Sequence, residues 1–244
     1  MPDARISIVV PALNEEKLIG NLLSIFDDDI KKQFYIELII SDGGSSDSTV
    51  QIAQKYADRI LIHKENWKQN ISGGRNSGAS IANGDVLIFL NADTFIKDIS
   101  SFLSGILKIF QDADVIAIAC PVKVFENEEI LSDRLFHSFY NTYVKLLNKC
   151  CVGMGRGECH IVRKSFFEKE GRYDEKLYAG EDFDLYKRLK KHGKIHFASN
   201  LVVYESPRRY RKFGYAKVFW DWAKNSVWIT LFGKSISQEW TQVR

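Results

Sequence analysis

The chain has 244 residues, 45% of them hydrophobic, enough for one large α/β domain or two small ones with a full core. No stretch approaches the roughly 18 apolar residues that span a bilayer. The four cysteines (Cys120, Cys150, Cys151, Cys159) show no C-x-x-C spacing, which argues against a zinc site or a redox pair. The net charge of +3 divides unevenly, with +6 on residues 206–244 and −3 on residues 1–205; a basic tail on a mildly acidic body points the tail at an anionic surface and away from a nucleic-acid-binding role.

Met1 to Arg5 leads straight into a strand pattern, so no secretory leader is expected, and a reduced, cytoplasmic setting is the default. The adjacent Cys150 and Cys151 are expected to pack inward. Residues 6–10 predict a strand ending at Pro11. Residues 15–29 have helical spacing through Leu18, Ile19, Leu22, Leu23 and Phe26. Strand 35–40, helix 47–57, strand 59–62, a small-residue helix over 72–83 and strand 85–90 follow. This alternation predicts βαβ units, hence an α/β fold with a mostly parallel central sheet flanked by helices. The second half is less regular: helix 100–110, strands 115–120 and 122–125 broken by Pro121, an aromatic-rich helix 132–149, strand 159–162, helix 181–191 and one or two strands over 194–204.

In a parallel sheet the loops after the strands meet at one rim, where ligands bind. Three polar loops arrive there: Pro11 to Glu16, Ser41 to Thr49, and Asn91-Ala92-Asp93. Each also has a plain structural reading. Asp93 alone is a good turn or cap residue, and Asp42-Gly43-Gly44 alone is a tight turn. Glu181-Asp182 opens a helix, where negative charge is favourable in any case. His160 and His196 read as strand histidines or as further metal ligands. No G-x-G-x-x-G follows a strand and no G-x-x-x-x-G-K-[ST] is present, so neither a standard dehydrogenase nor a P-loop enzyme is indicated.

Taken in order, the segments 9–16 (VVPALNEE), 42–49 (DGGSSDST), 74–78 (GRNSG), 84–94 (GDVLIFLNADT), 171–175 (GRYDE) and 180–189 (GEDFDLYKRL) resemble the inverting family 2 glycosyltransferases of the GT-A fold. The resemblance spans roughly residues 5–205, a catalytic domain, and leaves 206–244 as a C-terminal helical appendage. It implies transfer of one sugar from a nucleotide-diphosphate sugar (a UDP- or GDP-sugar) to a hydroxyl acceptor or a lipid-phosphate acceptor. It implies that Pro11, Ala12, Asn14 and Glu16 surround the nucleotide, that Asp42 bonds the base and that Arg75 approaches base or diphosphate. Asn91, Ala92, Asp93 and Glu181 would complete the nucleotide-sugar site. Asp93 would bind a divalent cation, Mn²⁺ or Mg²⁺, and Asp182 would deprotonate the acceptor. The usual Asp-x-Asp begins here with Asn91, which keeps an acceptor oxygen but loses a charge; a nucleotide-sugar-binding pseudoenzyme or scaffold is therefore the alternative. A nucleotidyltransferase ranks lower, because Pro11 to Glu16 is acidic and lacks glycine. The Gln-x-x-Arg-Trp signature of processive synthases is missing, as Gln238-Glu239-Trp240 has another order, which favours single-sugar transfer.

Residues 207–233 combine Arg208, Arg209 and Arg211 with Phe219, Trp220, Trp222 and Trp228 at helical spacing. Three readings stand: an interfacial helix at the inner face of the cell membrane, a helix docked on the core, or a homodimer contact. The three arginines also match phosphate chemistry. The acceptor pocket is expected within residues 125–160.

Overall fold

The computed structural model describes residues 5–66, 69–237 and 243; Gln238-Glu239-Trp240 lies outside them. The elements are β1 (Ile6–Ala12), α1 (Ile19–Leu23), α2 (Asp28–Gln33), β2 (Ile36–Asp42), α3 (Thr49–Ala53), β3 (Arg59–Ile62), α4 (Ile71–Ser80), β4 (Val86–Leu90), β5 (Thr94–Phe95), α5 (Ile99–Ile109), β6 (Val115–Ala119), β7 (Val122–Val124), α6 (Leu131–Lys149), β8 (Cys159–Arg163), α7 (Lys164–Lys169), α8 (Glu181–Leu189), β9 (Lys194–Phe197), β10 (Val203–Glu205), α9 (Arg208–Phe213) and α10 (Tyr215–Phe232).

The main sheet has the order β3-β2-β1-β4-β8-β6-β9, and its pairs are parallel except that β8 runs antiparallel to β4 and β6. Alternate residues of its buried strands feed opposite faces. Ile8, Val10, Leu38, Ile40, Val86 and Ile88 pack with α1 and α5, while Val9, Ile39, Leu87 and Phe89 pack with residues of α6, α7 and α8. The near-continuous apolar composition of β1, β2 and β4 follows from burial on both faces. A small second sheet, β5-β10-β7, lies at the end of the first.

Helix α4 is built from small residues because it must lie very close to β1. A Cβ on Gly78 would collide with the Val9 side chain. That approach brings Arg75, one turn earlier, to the rim.

Two expectations are corrected. The helix over 15–29 is two short helices, because Asp27 caps a new one by accepting from the Ile30 amide at 2.8 Å. The helical spacing of the appendage matches α10, and Gly214 (φ +77°) separates it from α9, which holds the arginine cluster. Cys150 and Cys151 are exposed, since they follow the last turn of α6 on its solvent side. Helix α7 and strand β5 were not anticipated. Along one face α10 buries Val218, Asn225 and Ile229. Ile229 abuts Gly180, where an added Cβ would lie 2.6 Å from Ile229 Cδ1 and where φ is +79°.

Candidate active site

A cleft of about 600 Å³ opens at the rim where β1, β2 and β4 end. Pro11, Ala12, Asn91, Ala92, Asp93 and Arg75 line it, and so do Glu181 and Asp182 from the start of α8. The strand register explains the grouping, since Pro11 and Ala12 of β1 lie beside Ser41 and Asp42 of β2.

Asn14 and Glu16 do not line the cleft; they tie the first loop to the second. Asn14 (φ +54°) accepts from the Ser46 amide at 2.8 Å through Oδ1, and Glu16 accepts from the Ser48 amide at 3.1 Å. The residue between them, Glu15, faces the cleft instead. Asp42 is buried beside the cleft, with Oδ2 accepting from the amides of Gly44 and Ser45 at 2.9 Å each. Its carboxylate thus shapes the turn that places Ser41 and Gly43 on the wall.

Arg75 is buried and joins three segments. Nη1 donates to Glu181 Oε1 at 2.8 Å, and Nη2 donates to Asn91 Oδ1 at 3.0 Å and to the Gly157 carbonyl at 2.6 Å. Its guanidinium also stacks over the Tyr173 ring. The neutral Asn91 suits this arrangement, because Glu181 already supplies the one buried carboxylate that Arg75 balances.

Arg208 Nη2 donates to Glu15 Oε1 at 2.8 Å and to Asp93 Oδ2 at 3.0 Å, so two carboxylates from different loops converge on one cationic nitrogen. That convergence fits a divalent cation, which takes one or two carboxylates and fills its remaining positions with phosphate oxygens and water. Among the described residues there is no group of three or more His, Cys, Asp or Glu suited to a metal, so Asp93 would rely on the ligand's own oxygens. Arg209 also lines the cleft. Arg211 does not, and pairs with Asp133 at the base of α6 instead. His160 is buried in the core against Tyr173, away from the cleft wall.

Asp182 sits in the first turn of α8, with Oδ1 accepting from the Phe183 amide at 2.8 Å. Burial, reinforced by the neighbouring Glu181, pushes its carboxyl up to about 7, while Phe183 and Arg75 pull the other way. A carboxyl poised there can accept a proton near neutral pH.

Sequence reasoning assigned no residue to the far wall, although Tyr140, Arg156 and Glu158 fall within residues 125–160. Arg156 holds Glu158 through two contacts of 3.2 Å and reaches Glu205 at 3.3 Å, and Tyr210 donates to Glu205 at 2.8 Å. Arg156 also lies over the Tyr140 ring. Burial opposes it, yet Arg156 keeps Glu158 below the usual range, whereas burial and then Glu158 push Glu205 well above it. Burial and the nearby Arg156 push His137 down to about 4. Tyr140 and Trp222, with ring centroids 5.3 Å apart, add an aromatic wall. The glycine-rich stretch 153–157 was the available signal: a Cβ at Gly155 would lie 2.6 Å from the Tyr186 ring, so the loop is pressed into place there.

The chain is 36% identical over 108 residues to GalNAc(5)-diNAcBac-PP-undecaprenol beta-1,3-glucosyltransferase of Campylobacter jejuni, a match covering 42% of this chain and 32% of that protein. The curated relatives are longer, and the matched segments span 19% to 56% of several of them. Among solved structures, the mannosyltransferase PcManGT of Pyrobaculum calidifontis, in complex with GDP-Man and Mn²⁺, superimposes with a TM-score of 0.67 at 19% identity, over 83% of this chain and 57% of that one. TarS 1–349 of S. aureus, in complex with UDP-GlcNAc, gives 0.62 at 18% identity, over 83% and 58%. These likenesses establish the GT-A fold. The sequence profile of glycosyl transferase family 2 matches residues 7–171, and the chain belongs to that family.

Proposed function

We propose that the protein is an inverting transferase that moves one sugar from a UDP- or GDP-sugar to a hydroxyl, with a lipid-linked molecule as the favoured acceptor. The observation that carries this reading is the presence of Asp93 and Asp182 in one cleft, linked through Asn91, Arg75 and Glu181. Asp93 marks the diphosphate end and Asp182 the acceptor end.

The chemistry needs a base on the side of the sugar opposite the leaving group. Asp182, with its carboxyl near 7, takes the acceptor proton as the hydroxyl oxygen bonds to the anomeric carbon. The bond from that carbon to the phosphate oxygen breaks, and the electron pair leaves with the nucleoside diphosphate. One such displacement inverts the configuration. Asp93 would hold the divalent cation, which when bound supplies Lewis-acid neutralisation of the departing diphosphate. Arg208 and Arg209 line the same end, and guanidinium forks match phosphate oxygens. Support for the lipid-linked acceptor comes from the printed activity of the Campylobacter relative and from the aromatic wall of Tyr140 and Trp222. Such an acceptor would be met at the cytoplasmic face of the membrane.

The test is the Asp182→Asn variant, assayed for transfer and, by calorimetry, for donor binding. Loss of transfer with donor binding kept is expected. Undiminished turnover would refute the base assignment, and donor binding without transfer or hydrolysis in the unaltered protein, across acceptors and metals, would favour a binding module.

A further inference from the structure

Two helices far apart in sequence leave apolar faces uncovered on the same side of the molecule. On α6, Leu131, Leu135, Phe139, Tyr143 and Leu146 recur every three or four residues and are exposed, Leu135 to 64% and Leu146 to 54%. On α10, Trp220, Val227 and Leu231 form a second stripe, with Trp220 60% and Leu231 67% exposed. The stripes are continuous. Phe139 touches Phe219 with centroids 5.6 Å apart, and Phe219 touches Trp220 at 6.1 Å. The band is far larger than the scattered apolar residues of an ordinary surface.

Its charges are one-sided. At about 100° per residue, Lys145 and Lys149 fall on the edge of α6 away from Phe136 and Tyr140, which pack toward α10. Lys217 and Lys224 fall on the edge of α10 opposite Phe219. The one acid in α6, Asp133, is buried against Arg211, and the one acid in α10, Asp221, pairs with Lys217 at 2.6 Å. Lys145, Lys149 and Lys224 have no ion pair among the described residues. An apolar band with tryptophans and a lysine margin on each side matches an anionic lipid surface, where aromatic rings sit at headgroup depth and lysines meet phosphate. A second copy would set lysine margin against lysine margin. Among the described residues no helix is long and apolar enough to cross a membrane, which leaves contact in the interfacial plane.

We propose that α6 and α10 together form one face that seats the protein on an anionic bilayer. Trp222 and Ser226 of α10 and Tyr140 of α6 line the cleft from the inner sides of the same helices, so seating turns the cleft's edge toward the lipid. The inference is independent of the chemistry assigned to Asp93 and Asp182.

Vesicle flotation of the full chain tests it, using phosphatidylcholine vesicles with and without about 30% phosphatidylglycerol. Binding only with phosphatidylglycerol is expected, weakened by salt. Lys145→Glu with Lys149→Glu should lower the partition at least about tenfold, and Leu135→Glu with Leu146→Glu should do the same at an unchanged melting midpoint. Failure to bind, or equal binding to neutral vesicles, would overturn the proposal. Parent-like binding by both α6 variants would restrict the contact to α10 and so refute the joint face. Sedimentation velocity showing a dimer that the Leu135/Leu146 variant splits, with no vesicle binding, would reassign the face to self-association.

Discussion

Arg75 lies between Asn91 and Glu181, donating to Asn91 Oδ1 at 3.0 Å and to Glu181 Oε1 at 2.8 Å. One buried guanidinium therefore fixes the distance between the strand end that carries Asp93 and the helix start that carries Asp182. Replacing Arg75 with Ala leaves Glu181 buried without its partner, and a loss of about 3–5 kcal/mol is expected for breaking such a pair. Urea unfolding measures it. Arg75→Lys should be intermediate, since an ammonium lacks the planar fork that spans both acceptors.

Activity should rise with pH through about 7, because Asp182 works as a base only when deprotonated and its carboxyl is pushed up to that value. The pH profile of kcat/KM checks this. Asp182→Asn should lower transfer by about 10²- to 10⁴-fold, the usual weight of a general base.

Stability should show the opposite slope. The folded Asp182 carboxyl binds its proton more tightly than the unfolded one, whose ordinary value is 3.8. Between that value and about 7 the folded state therefore holds more protons, and stability falls as pH rises through this window. Asp182→Asn should flatten that fall, as read from melting midpoints across the range.

Removing the divalent cation with a chelator should abolish transfer and the cation-dependent part of donor binding. Asp93→Ala should reproduce both effects without altering the apo melting curve by much, since Asp93 is partly exposed and its ion pair with Arg208 is worth about 1 kcal/mol or less.

Arg208 holds Asp93 and Glu15 through one nitrogen. A guanidinium in that position competes with a metal ion. Arg208→Ala should therefore tighten Mn²⁺ binding to the protein without nucleotide by about two- to fivefold, the scale of one partly exposed ion pair. Calorimetric titration with Mn²⁺ alone is the measurement.

The first half of the molecule was legible because its strands are unbroken apolar runs and its polar loops follow them directly. That pattern put Asn91 to Asp93 at the end of β4, where they line the cleft. It could not say which of three adjacent side chains faces the cleft: the positive φ at Asn14 turns the chain so that Glu15 points inward while Asn14 and Glu16 bind the neighbouring loop. The far wall was illegible for another reason. Arg156 and Glu158 of one loop and Glu205 of β10 are buried charges, and only the tertiary fold shows that they balance each other.

The reversal of β8 has a wider effect. Because it runs against β4, its entrance lies beside the exit of β4, and the Asn91 backbone amide donates to the Glu158 carbonyl at 3.1 Å. The stretch just before β8 thus reaches the rim of the cleft without belonging to the parallel half of the sheet. Under the proposed function, substitutions at Gly157, which lies against Asp182, would alter that wall of the cleft while β1 and β2 keep the register that sets Pro11 and Ala12.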